Sequence, residues 1–320
     1  MHIRCFPRRA RTRANQGQFM RPGNALGVVL YIGLIAAVSI SSARGDDNEH
    51  EQSSTAPVDK NQYNLFNPTP REQMREFNPN RPDSTEGPYT IDAGHFQMES
   101  SFAEYTLDHT NGTPFGTRTQ TVSVLPTDFR LGVLNNVEAD LIVQPLLYQR
   151  TQTGNSTHYA DGFGDTQLRA SINFLGNDGG PIAIGVIPFI TFPTASHSDG
   201  LGTGRVQGGI IFPLQLNLPH DFELGMMAEL DIDRNDANTD YGLAFIHSIV
   251  LGHPIWGPVS GYVEYFGVAP HQLQETYQAF ADTGVTYLVV EDVQLDCGVQ
   301  FGLSQGTPDY TIVAGITVRH

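Results

Sequence analysis

The side chains with most chemical potential in this 320-residue chain are carboxylates spaced two residues apart. Between Phe222 and Asp233, Glu223, Glu229, Asp231 and Asp233 share one parity, and Phe222, Leu224, Met226, Ala228, Leu230 and Ile232 share the other. In an extended chain, that spacing puts all the acids on one face. Arg130, Glu138, Asp140, Asp165, Gln167, Arg169, Glu264 and Asp296 fall on the polar parity of their own segments. Such a mixed set facing an enclosed interior can select ions or solutes, or its charges can pair and fill a narrow lumen. Both readings stay open from sequence.

Other chemistries find less support. His247 falls on an apolar parity and Ser248 on the opposite one. A nucleophile and its base need mutual hydrogen-bond reach, so the pair does not form a catalytic site. With no such pair in reach, no enzymatic activity is expected. Histidines such as His95, His158, His197, His220, His253 and His271 are scattered without ligand spacing, so no metal site is expected. The stretch from Asp231 to Asp240 is rich in carboxylates but lacks the central Gly and closing Glu of an EF-hand, and reads as a polar loop. Gly162, Gly164, Gly202 and Gly204 lie between strands, whereas a phosphate loop must open a helix. No cofactor is expected.

Charge and cysteine count narrow the class further. The formal charge is −16, and six of the 18 basic residues precede Ala43. Nucleic acid is therefore excluded as a partner, because neutralising phosphates needs basic patches. Cys5 and Cys297 are the only cysteines, too few for a disulfide framework.

The elements that must position the polar face are long strands. Leu168, Ala170, Ile172 and Phe174 alternate with Gln167, Arg169, Ser171 and Asn173, and the same split recurs from Val293 to Leu303, with Cys297 on the apolar side. Alternation over ten or more residues suits tilted membrane strands, which need roughly 9 to 11, better than globular strands of about 5 to 6. Connections alternate as well. Short ones are expected at Asn135-Asn136, 176–180, 219–221, Gly252-His253-Pro254 and near Glu291-Asp292. Longer polar ones are expected at 107–117, 150–163, 193–205, 233–240, 268–277 and 304–309. The pattern predicts an all-β chain forming a single transmembrane antiparallel up-and-down β-barrel of about 12 strands over residues 87–320. Ahead of it, residues 1–43 read as a signal peptide, with a basic start and an apolar run from Ala25 to Ile40. Residues 44–86 read as a polar, largely disordered periplasmic tail, although Tyr63, Phe66 and Phe77 would suit a segment that enters a pore.

The stretch from Arg81 to Glu99 resembles the opening strand of a family of outer-membrane transporters named for the meta pathway of phenol degradation. Asp161-Gly-Phe-Gly-Asp165, the segment Ile187 to Thr194, and Gly202-Thr-Gly204 agree with it. The resemblance implies an outer-membrane channel or transporter for small solutes, aromatic or apolar by the family's name. The alternative is a structural or adhesive barrel whose outer loops bind partners. Membrane lipid is the expected surroundings. The last strand, ending at His320 in place of the usual aromatic, resembles the segment read by barrel-assembly machinery. The alternation also sets a test: Leu168→Arg or Leu230→Arg should impair assembly, whereas Gln167→Arg should be tolerated and alter conductance.

Overall fold

The computed structural model of the chain describes residues 59–110, 116–234, 241–270 and 276–320. The sequence alternation becomes a single sheet of 15 segments whose last member pairs back onto its first. The first seven are β1 (Phe96–Thr110), β2 (Thr117–Val124), β3 (Thr127–Leu134), β4 (Val137–Val143), β5 (Leu146–Thr153), β6 (Ser156–Gly162) and β7 (Thr166–Leu175). Both β2 and β3 pair with β1, β4 pairs with β3 and β5 with β2, and β6 and β7 pair with β5 and β4. Each of these three couples is therefore one long strand broken once, and the sheet is a closed barrel of 12 antiparallel strands.

The breaks line up, and their cause is local. Pro126 and Pro145 have no N–H for the ladder. Leu125 takes φ +53°, and β1 carries a register shift between Ser101 and Ala103 at the same level. Gly164, between β6 and β7, lies against Gln144, where any Cβ would collide. Interruptions of this kind bend strands, so the wall is kinked across four neighbours. The expected loop at 150–163 is instead the hairpin of β5 and β6, turning at Gly154 with φ +57°.

The remaining strands are β8 (Ile182–Phe192), β9 (Gln207–Asn217), β10 (Glu223–Arg234), β11 (Tyr241–Trp256), β12 (Val259–Ala269), β13 (Gln278–Val290), β14 (Val293–Gly302) and β15 (Tyr310–Arg319). At 10 to 16 residues, all reach membrane-strand length. The turn expected at Gly252-His253-Pro254 lies further on, at Gly257 with φ +55°. Pro254 stays inside β11 because it sits beside a register shift, where a missing donor costs little. The loops expected at 107–117, 233–240 and 268–277 fall partly outside the described residues, and the signal peptide and residues 44–58 lie wholly outside them.

The two faces are inverted relative to a water-soluble domain. Leu168, Phe174, Ile184, Ile190, Phe212, Leu243, Val263 and Ile312 are exposed on the outside, whereas Gln97, Glu99, Arg130, Glu138 and Thr317 are among the most buried side chains. Charged side chains are almost never buried unless paired. The interior must therefore supply their partners.

Candidate functional site

The partners come from the chain ahead of β1. Pro79, Pro82 and Pro88 prevent regular structure from Arg75 to Ala93, and each remaining backbone N–H still needs an acceptor. Gly87 N and Thr85 N find acceptors within the segment, in Asn80 and Asp83, and the barrel wall provides others. Ser84 N donates to Glu264 Oε2 at 2.9 Å, Ile91 N to Glu138 Oε2 at 2.6 Å, Thr90 N to Asn177 Oδ1 at 3.0 Å and Asn80 N to Glu99 Oε1 at 3.3 Å. The carbonyls are met too, Pro88 O by Asn173 Nδ2 at 2.8 Å and Tyr89 O by Arg130 Nη2 at 3.1 Å. This segment is a plug inside the barrel. The expectation of a largely disordered tail up to residue 86 is corrected over 75–86, because polar residues that find no core of their own bond to the polar inner wall.

Ion pairs cross between plug and wall. Arg81 Nη2 lies 2.8 Å from Asp296 Oδ1, and Arg169 Nη1 lies 2.6 Å from Glu86 Oε1. Within the wall, Arg130 sits 2.7 Å from both Glu99 and Glu138, with all three side chains buried. Asp140 accepts from Ser171 Oγ at 2.9 Å, and Gln167 accepts from Arg169 Nε while donating to Thr191 at 2.9 Å. Charge-assisted bonds of this sort are the strong ones, and losing one partner leaves an expensive buried charge.

Most of the polar candidates thus meet at the plug, and four do not. Glu229 is buried on the inner face nearer the loop end, with Asp231 beyond it, half-buried. Glu223 is exposed at the short-turn rim, where Gln215 Nε2 reaches it at 3.4 Å, so it lines the mouth and not the lumen. Asp165, fully buried between β6 and β7, accepts from Ala195 N at 3.1 Å, Thr203 N at 2.8 Å and Thr203 Oγ1 at 2.9 Å. It holds the connection between β8 and β9, whose Ala195 and Leu201 pack on Leu147 and Ala160 at the far end of the barrel from the turns.

At the short-turn end a collar of charges locks the plug. Lys60 Nζ lies 2.8 Å from Asp178 Oδ1, Arg75 Nε 2.9 Å from the same atom, and Arg75 Nη1 3.3 Å from Asp92. Arg319 Nη2 lies 2.7 Å from Asp292, its Nη1 donates to Arg75 O at 2.8 Å, and Arg71 also pairs with Asp292. Burial pushes the Asp178 carboxyl up, but Lys60 and Arg75 outweigh it and hold it below the ordinary range. Arg319 and Arg71 do the same for Asp292 against the same opposing effect.

Beyond the plug tip the inner face changes character. Ile187, Ile211, Met227, Ile246, Phe266, Val268 and Phe280, from six consecutive strands, form a buried apolar cluster with Phe189 packed against it. The plug abuts this cluster at Met227, whose Sδ accepts from Glu86 N at 3.4 Å. Attention to the polar parity alone misses these residues. The signal was present in Gly209-Ile-Ile-Phe212, where both parities are apolar.

Comparison with known proteins agrees with this architecture. No curated protein matches the sequence. Among solved structures, the chain is similar to the COG4313 outer membrane channel from Pseudomonas putida F1, with 12% identity, a TM-score of 0.57, and coverage of 77% of this chain and 100% of that one. The translocator domain of the autotransporter NalP from Neisseria meningitidis follows at 9% identity and a TM-score of 0.45, covering 75% of this chain and 90% of that one. A family model described as "Putative MetA-pathway of phenol degradation" matches residues 79–320, which takes in most of the plug and the whole barrel, and the chain belongs to that family.

Proposed function

We propose that this protein is an outer-membrane channel for small apolar or aromatic solutes, closed at its periplasmic end by its own N-terminal segment. The observation that carries the reading is the apolar cluster on the inner wall, because an inner face that met only water and ions would have no use for Phe266, Phe280 and five aliphatic neighbours. The outer wall supports the location. Its exposed aliphatic band is flanked by Trp256 and Tyr287 toward the turns and by Tyr241 and Tyr277 toward the loops, as membrane barrels place their aromatic girdles. Short turns then face the periplasm, and residues 1–43 serve as the export signal. A non-enzymatic role fits the wall chemistry: His247 points outward and bonds to Tyr277 Oη at 3.1 Å, while Ser248 points inward to Thr85 at 2.6 Å.

The test is entry of an apolar fluorescent probe into intact cells. Cells making the wild-type protein should take it up faster than cells making Phe266→Glu at equal surface level. Equal rates would remove the apolar cluster from the route, and no uptake above cells lacking the protein would end the channel reading.

A further inference from the structure

Arg81 of the plug and Arg169 of the wall are paired with Asp296 and Glu86, yet the plug's tip rests on two further carboxylates. Glu264 and Asp282 are directly opposite each other across β12 and β13, both buried and both on the inner face. Glu264 accepts from Ser84 N and Thr85 Oγ1, and Asp282 accepts from Ser84 Oγ at 3.3 Å and from Gln300 Nε2 at 2.8 Å. Among the described residues, no Arg or Lys forms an ion pair with either. The other groups facing them deepen the problem. Asp83 of the plug and Tyr262 of β12 are within electrostatic reach, and Tyr262 is also within reach of Asp296 of β14, while β11 and β10 place Ser248 and Met227 at this level.

Like charges directly opposite on a sheet repel, and two carboxylates sharing one buried site cannot both ionise without cost. Asp282 Oδ1 is buried with no hydrogen-bond donor among the described residues, which is the position a proton shared with Glu264 would satisfy. We propose that Glu264 and Asp282 hold one proton between them and act as a latch, keeping the plug seated while protonated and loosening it when the proton leaves to solvent. With the proton gone, two adjacent charges face Asp83 in a space shielded from water, and withdrawal of the plug hydrates them. The latch rests on the reading of residues 75–93 as the plug of a channel and adds its regulation.

Limited digestion of the full-length protein with a glutamate-specific protease tests the latch without requiring conduction. Glu86 is buried in the lumen and Glu72 is exposed ahead of it, so cleavage after Glu72 in the same digest corrects for the protease's own pH dependence. Between about pH 5.5 and about pH 8, the ratio of cleavage after Glu86 to cleavage after Glu72 should rise by about tenfold or more in the wild type, one pK unit being a factor of ten. In Asp282→Asn and in Glu264→Gln, each able to donate permanently to its neighbour, the ratio should stay low. A heat-dependent gel shift confirms that both variants are folded. A low ratio at every pH in the wild type, or an equal rise in wild type and variants, would overturn the latch and leave the plug intact. Cleavage after Glu86 as free as after Glu72 at every pH would overturn the plug itself.

Discussion

Arg130 shows how the inner wall works at the scale of single residues. Its guanidinium serves Glu99, Glu138 and the Tyr89 carbonyl at once, so it ties β1, β3 and β4 to the plug. Arg130→Met would leave two buried carboxylates uncompensated, a change that costs about 3 to 5 kcal/mol when one partner of a buried pair is removed. The expected result is a clear fall in the temperature at which the barrel unfolds on semi-native gels. The outer face obeys the opposite rule. Leu168→Arg should block assembly, with a cost of roughly 2 to 4 kcal/mol at the bilayer midplane. Gln167→Arg, tolerated on the sequence reading, would now set a second cation beside Arg169, which already donates to Gln167. Gln167→Glu is the better partner variant, and it should assemble normally in the same outer-membrane fractionation. The parity of these residues was legible in the sequence, because alternation reports which face a side chain takes. What each inner residue bonds was not, since Asp296, the ion partner of Arg81, and Ser84, which donates to Glu264, each lie more than 150 positions away along the chain.

At the scale of elements, the strands were readable and the plug was not. Strand alternation is a local signal, whereas residues 75–93 have neither a hydrophobic period nor a core of their own, and the barrel wall meets many of their N–H and carbonyl groups. The same reason explains the hairpin of β5 and β6, which looks like a polar loop because it carries no apolar outer face of membrane length. The collar makes the plug sensitive to acid. Because Asp178 and Asp292 are held below their ordinary value of 3.8, their contribution to docking is complete above that value and fades as pH falls toward the lowered ones. Plug docking should therefore weaken under strong acid, read as increased hydrogen exchange at Thr90 and Ile91 below about pH 4. Arg75→Ala removes contacts to Asp92, Asp178 and Asn135 and should raise exchange at the same amides at neutral pH. Unchanged exchange in both experiments would show that the collar does not hold the plug.

At the scale of the whole molecule, the chain is a closed barrel with an apolar exterior and a polar interior filled from one end by its own leading segment. An inverted distribution of this kind is stable only where hydrocarbon surrounds the wall, and the interior is satisfied only while the plug is seated. Removing the plug should therefore open a path. The measurement that tests it most directly is single-channel conductance in planar bilayers, comparing the wild type with Arg75→Ala, Arg81→Ala, whose collar and inner ion pair to the plug are both broken. Rare, brief openings are expected in the wild type and sustained stepwise conductance in the double variant. A double variant that inserts as a folded barrel and stays as silent as the wild type would contradict it.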